Sequence, residues 1–302
     1  MIGFWRAGTL PLGLVSLLTA CGSNSPVETT SPFPPGVTGL LALVTSTPTR
    51  NSFEADLRVM DAEGNDNVIY STQDHGIHEL AWAPDGRHLA FSAPLTSTEE
   101  FRAALWEIGI EGGVAVPLFD KVHSGPEGSP RYSRSGRLAY EAGSGLPPYF
   151  GIFIDSVFAF PGIGGALDWT PDEQALILTQ ATDLVRLNLA DGSVTRIWSS
   201  PGDTLDRPAV SPDGTRIAFL RHVSLYTSMR EVWTVGMDGT APIQLTTGYF
   251  DLYPVWTADG HYVAFSRFDA PSGVYLVPAV GGNATRVVGL ADNRAGAIAC
   301  SR

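Results

Sequence analysis

The chain has 302 residues, a formal net charge of −12, and 44% hydrophobic against 17% charged residues. So many apolar residues exclude a disordered chain, and so few charges exclude a coiled coil. The acidic balance and the lack of a basic domain exclude nucleic acid as a partner, while 33 glycines and 22 prolines predict a chain dense in turns.

Residues 1–20 read as a secretion signal. Arg6 supplies the positive start, and Ala7 to Ala20 supply an apolar stretch too short to span a bilayer securely. The stretch ends in Leu18-Thr19-Ala20-Cys21, which resembles the bacterial lipobox. That resemblance implies cleavage before Cys21, lipid on its sulfur and acylation of the new amino terminus. Such an anchor holds firmly, because each buried methylene contributes about 0.8 kcal/mol. Gly22 stands where an inner-membrane protein of the enterobacterial type would carry Asp. Outer-membrane delivery is therefore the expectation in a host that has an outer membrane. Residues 21–36 hold the lipidated cysteine and a Pro/Ser/Thr-rich run without an apolar period. They read as a semi-extended tether holding the domain off the membrane.

The remainder, residues 37–302, is organised by a repeat. Trp82-Ala-Pro-Asp-Gly-Arg-His-Leu-Ala-Phe91 recurs as Tyr132–Tyr140, Trp169–Leu178, Val210–Phe219 and Trp256–Phe265. The turn positions Gly86, Gly136, Glu173, Gly214 and Gly260 lie 50, 37, 41 and 46 residues apart. The mean of about 43 is the period of a four-stranded propeller blade. Within each segment Pro fixes φ, Asp bonds its own backbone, and the next residue takes the left-handed position that closes a hairpin. A further strand, a Gly-containing turn and a last strand follow, as in Glu231–Leu245 and Asp183–Ile197. Helical periodicity is nearly absent.

This pattern predicts an all-β, six-bladed propeller. Its blades span 37–72 with 294–302, then 78–120, 128–160, 165–200, 206–247 and 252–289. The N-terminal blade lacks an innermost strand, and Ala297–Arg302 aligns with the missing segment. The C-terminal strand is thus expected to pair with the N-terminal blade and close the ring, removing free sheet edges. The short third blade, around Pro147 to Pro161, is the irregular one. Cys300 falls on the position held elsewhere by Trp82, Trp169 and Trp256, so it reads as a buried core residue without a disulfide. One aromatic per blade at one register likewise reads as packing between blades.

The repeat resembles the Trp-x-Pro-Asp-Gly units of TolB-type β-propellers over about 260 residues. TolB itself carries an α/β domain before its propeller, where this sequence has only a short tether. The resemblance is specific for fold and poor for function.

Propeller sites sit on the loops that lead into the innermost strands. Four residues before the aromatic position stand His78, Gly128, Gly165, Asp206, Leu252 and Gly296; three before it stand Glu79, Ser129, Ala166, Arg207, Tyr253 and Ala297. The polar residues fall on the second and fifth blades, which face each other in a ring of six. This predicts a channel mouth with two charged walls. The candidate partner-binding residues are Asp74, His75, His78, His123, Asp206, Arg207, Asp251 and Arg294, with Glu127, Asp203, Tyr249 and Phe250 nearby.

His75-Gly-Ile-His78 and His123 offer fragments of a metal site, but a site needs three or four converging ligands and no ligand position repeats. No G-x-S-x-G, Cys-x-x-Cys or phosphate-cradling glycine loop is present. The expectation is a monomeric, lipid-anchored envelope propeller without catalytic residues, metal or cofactor, binding a protein or peptide at the mouth. The alternative is a metal-dependent enzyme of the lactonase or uronate-lyase type, with its site in the channel. Cys21→Ser is expected to abolish incorporation of labelled palmitate and to leave an uncleaved precursor; labelling at wild-type levels would refute the anchor.

Overall fold

The computed structural model describes residues 28–29, 33–34, 37–49, 53–73, 76–94, 103–119, 127–143, 150–163, 165–223, 229–290 and 294–301. They form six antiparallel blades in a ring, a six-bladed β-propeller. Blade 2 runs from the channel outward as Glu79–Trp82, His88–Pro94, Ala103–Gly109 and Val116–Pro117. Blade 3 is Glu127–Tyr132, Leu138–Gly143, Phe150–Ile154 and Val157–Pro161, so the short blade is four-stranded. Blade 4 begins at Leu167–Trp169, blade 5 at Thr204–Val210 and blade 6 at Asp251–Trp256.

Blade 1 is shared between the two ends of the chain. Arg294–Cys300 is its innermost strand, followed by Leu41–Pro48, Phe53–Met60 and Asp66–Gln73. The ladder pairs Leu41 with Cys300 and Ala42 with Ala299, and extends to Ser46 opposite Arg294. Closure thus follows the alignment of the C-terminal segment with the repeat. The tether departs from a free spacer at one point. Glu28–Thr29 adds a fifth strand to the outer edge of blade 6, against Val288 and Gly289.

A blade buries both faces only between neighbours, so each interface has its own apolar cluster. Phe91 and Leu57 pack between blades 1 and 2, and Tyr140 and Leu105 between blades 2 and 3. Trp169 and Leu178 follow between blades 3 and 4, and Phe219 and Leu184 between blades 4 and 5. Phe265 and Leu220 fill the wedge between blades 5 and 6, and Leu43 and Val288 that between blades 6 and 1.

An indole N–H buried in such a wedge costs free energy unless it finds an acceptor. Each innermost tryptophan finds one in the preceding blade, on the residue just before the aromatic position. Trp82 donates to the Ala299 carbonyl (3.1 Å), Trp169 to Arg131 (2.9 Å) and Trp256 to Ala209 (2.9 Å). Blade 5 has Val210 instead of an aromatic, and there the main chain donates to a side chain of the preceding blade. Asp168 of blade 4 accepts from the Val210 amide (2.8 Å) while also accepting from the Trp169 amide (2.9 Å). Between blades 2 and 3, the Tyr132 hydroxyl donates to Glu107 (3.2 Å).

The hairpin turns hold as the sequence chemistry predicts. Asp172, Asp213 and Asp259 each accept from a hydroxyl two residues earlier and from the amide two residues later, which holds all three carboxyls below their usual range. Glu173 occupies the left-handed position at φ 56°, where other blades use glycine. Its carboxylate compensates by accepting from the amide and hydroxyl of Ser135 in blade 3. At Gly214 the cause is space as well as φ, since a Cβ would stand 3.1 Å from Pro171 of the preceding blade.

Asp168→Ala leaves two buried amides without an acceptor. It is expected to destabilise the fold by roughly 2–6 kcal/mol in urea unfolding, at about 1–3 kcal/mol per orphaned donor. An unchanged urea midpoint would show that the blade 4–5 link carries no stability.

Candidate functional site

Four innermost strands carry a bulge, three at one register and that of blade 1 one residue further from the turn. Ser129-Pro130, Arg207-Pro208, Tyr253-Pro254 and Gly296-Ala297 lie opposite the single residues Tyr140, Phe219, Phe265 and Val44. Proline has no N–H for a ladder, so three of these bulges sit where the ladder has no donor to lose. The residue before each proline is left-handed, at φ 51° for Ser129, 51° for Arg207 and 52° for Tyr253. Such backbone costs about 1–2 kcal/mol per non-glycine residue, and a bulge re-aims the side chain it carries.

Here the bulge places Arg207 of blade 5 against Glu79 of blade 2 in an ion pair. These blades are opposite in the ring, so the predicted charged walls meet across the channel. Tyr253 lies under the Arg207 guanidinium, 4.0 Å from ring centroid to Cζ. Burial alone would lower the Arg207 pKa, but Glu79, Tyr253 and Asp206 more than reverse it. Burial also pushes the Tyr253 phenol up to about 12, so both groups keep their protons at neutral pH.

Around this bridge stand groups from the mouth-side ends of other strands. Asp206 approaches Arg207 Nε at 3.6 Å and His222 Nε2 at 3.9 Å, both beyond hydrogen-bonding range. Neither nitrogen has another hydrogen-bond partner among the described residues. Burial lowers the His222 pKa, with Arg230 next in effect and Asp206 opposing both. Arg230 stacks on Phe250 at 4.6 Å. Glu141 of blade 3 accepts from the Gly165 amide (3.1 Å); burial raises its pKa, and the nearby charge of Asp206 adds to the rise. Gly165 is required there, because a Cβ would stand 2.1 Å from the Thr179 carbonyl oxygen.

The structure brings Asp206 and Arg207 together and leaves His78 exposed at the start of blade 2. Asp251 is placed differently. It is fully buried, and both of its oxygens accept from Arg267, at 2.7 and 3.0 Å. That guanidinium is also stacked on Tyr249 at 3.5 Å and on Tyr275 at 4.5 Å. Asp251 therefore holds the base of blade 6 rather than facing a partner. Asp203 is likewise engaged, by Arg221 at 2.7 Å. Arg294 begins the closing strand opposite Ser46. Asp74, His75, His123 and Cys21 lie outside the described residues. Among the described residues no group of three His, Cys, Asp or Glu side chains is placed to hold a metal. Cys300 is a free thiol that burial raises to about 12, which removes nucleophilic character at neutral pH.

His222, Arg230 and Glu141 carry no repeated position, and the sequence gives no signal for them. The x-Pro pair two or three residues before the aromatic position does recur, in blades 3, 5 and 6, and marks the bulges that aim Arg207 and Tyr253.

No family model and no curated protein matches the chain. Among solved structures it is similar to TolB from Acinetobacter baumannii, with a TM-score of 0.72 and 19% identity over 88% of this chain and 67% of that one. It is also similar to a TolB structure from Agrobacterium tumefaciens, at a TM-score of 0.59 and 19% identity over 87% and 99% of the two chains. A chain of a nidogen/laminin complex matches at a TM-score of 0.60 and 9% identity, over 86% of this chain and 97% of that one. At these identities the likeness establishes a TolB-like six-bladed propeller fold.

Since the folded pKa of His222 lies below its ordinary 6.5, the unfolded chain takes up the proton first as pH falls. Stability is therefore fully present above the unfolded value and declines below it. The urea midpoint of the wild type is expected to fall more between about pH 7 and about pH 5 than that of His222→Gln. Parallel pH profiles would show that His222 titrates as it does in water.

Proposed function

We propose that the protein is a lipid-anchored envelope propeller that holds a protein or peptide partner at its channel mouth. The anchor rests on the signal and lipobox of residues 1–21. The binding role rests on one observation: the mouth presents polar groups with unused hydrogen-bonding capacity on rigid strand ends. Among the described residues the buried Arg207 Nε and His222 Nε2 make no hydrogen bond, though the charge of Asp206 lies beside both and Arg230 near His222. Polar atoms of an inserted loop supply such partners, and pre-set strands spare the ordering cost that flexible loops incur on binding. The mixed signs of Glu79, Asp206, Arg207 and Arg230 favour a partner segment that itself carries both charge and neutral polar groups.

The experiment is crosslinked capture from envelope extracts with the wild-type protein and with Asp206→Ala/Arg207→Ala. A specific partner is expected with the wild type, and its recovery falls at least about tenfold with the variant, as for a central charged hot spot. Equal recovery would remove the mouth as the binding surface. Metal analysis is run beside it. A stoichiometric metal whose removal by EDTA lowers the melting temperature would overturn this reading in favour of a metal-dependent enzyme.

A further inference from the structure

The channel is hollow at the end opposite the mouth, on the face of the Pro-Asp-Gly turns. A cavity of about 390 Å³ opens there, within the usual span of small-molecule sites, about 300–1,000 Å³. Its walls follow from one position in the repeat, the residue just before the aromatic. Blades 1, 2 and 5 place Ala299, Ala81 and Ala209 there, and their short side chains leave the space unfilled. Trp82 and Trp256 add aromatic surface whose N–H groups are already bonded to main chain, so they offer the cavity apolar rings.

Blade 3 breaks the pattern with Arg131. Its half-buried guanidinium donates to the Pro130 carbonyl at 2.7 Å and, weakly, to the Leu80 carbonyl at 3.5 Å. Both are neutral main-chain acceptors, and no carboxylate pairs with Arg131 among the described residues. Asp168, at the same position in blade 4, also lines the cavity, but its two oxygens already accept the Trp169 and Val210 amides. At the rim Arg134 also donates only to a main-chain carbonyl, that of Pro212. A planar cation with spare donors, set in a cavity walled more by apolar than by polar surface, matches a carboxylate carried on an apolar body.

We propose that this cavity binds a small molecule that joins one carboxylate to an aromatic or aliphatic body, with the carboxylate on Arg131. The site is independent of the mouth, sharing none of the residues of the Glu79–Arg207 bridge. Entry is from the turn face, since that bridge crosses the channel on the other side.

The test is calorimetric titration of the full-length protein, in a non-ionic detergent, with 2-naphthoate and with the uncharged 2-naphthalenemethanol. The expected result is one-to-one binding of the naphthoate, at least about tenfold tighter than the alcohol, as for one charge-assisted hydrogen-bonded pair. Arg131→Gln keeps the main-chain carbonyl that Trp169 needs. It is expected to remove the tenfold preference while leaving the weak binding of the alcohol in place. Ala209→Leu fills the cavity and is expected to weaken both ligands. Absence of naphthoate binding at millimolar concentration, or a preference that survives Arg131→Gln, would overturn the proposal. The wild-type comparison of the two ligands decides the matter even if a variant fails to fold. Neither failure touches the mouth, whose capture experiment uses other residues.

Discussion

The structure depends on a hydrogen bond passed from blade to blade at the inner rim. An innermost tryptophan fills the wedge between two twisted sheets, and its indole N–H then requires an acceptor where water is absent. The carbonyl one residue before the aromatic position of the preceding blade supplies it at Trp82, Trp169 and Trp256. Each bond contributes only about 0.5–1.5 kcal/mol net, whereas a buried donor left without a partner costs about 1–3 kcal/mol. The bond ties the inner rims of the neighbouring blades together at these three junctions. Where the tryptophan is missing, other chemistry makes the connection: Asp168 to the Val210 amide, and Tyr132 to Glu107. At the junction of blades 6 and 1 an apolar cluster serves, and the ring is instead fastened by the ladder between the two ends of the chain.

Once the aromatic position is fixed, the rest of each innermost strand is fixed with it. The x-Pro bulges lie at a constant distance before it, and they convert a regular strand into one that turns a side chain toward the channel. Blade 2 has no such bulge, and its Glu79 stays in register opposite Ser92. The bridge between Glu79 and Arg207 is thus made by two different backbones, one regular and one left-handed. The strain at Arg207 is held by Pro208, by the ion pair and by Tyr253 beneath the guanidinium. Backbone strain of this kind collects where a protein positions charge.

The same bridge gives the channel two ends of different character. On the mouth side, Asp206, His222, Arg230 and Glu141 lie near one another; burial first, then the neighbouring charges of Arg230 and Asp206 respectively, pushes His222 toward neutrality and Glu141 toward its protonated form. On the turn side, alanines and tryptophans line a cavity that also holds Arg131, Arg134 and Asp168. The polarity difference comes from which side chains the blades bring to each depth: charged groups from several strands at the mouth, and mainly small residues just before the aromatic position at the turn end.

Much of this architecture is legible in the sequence. Period, turn chemistry and the orphan strand at Ala297–Arg302 define a closed six-bladed ring because they are local patterns repeated, and a repeat can stack in few ways. The same alignment placed Glu79 and Arg207 on opposite blades, since position in the ring follows from counting. What the sequence leaves open is depth and partner. Asp251 and Asp206 precede the aromatic position of the repeat by five and four residues, yet Asp251 is buried against Arg267 and Asp206 stays at the mouth. His222, Arg230 and Glu141 reach the mouth from second and third strands whose sequences carry no common signal. The cavity at Arg131 is a property of three alanines distant in sequence. Each of these is set by which side chains from different blades share one volume, and only the closed ring decides that.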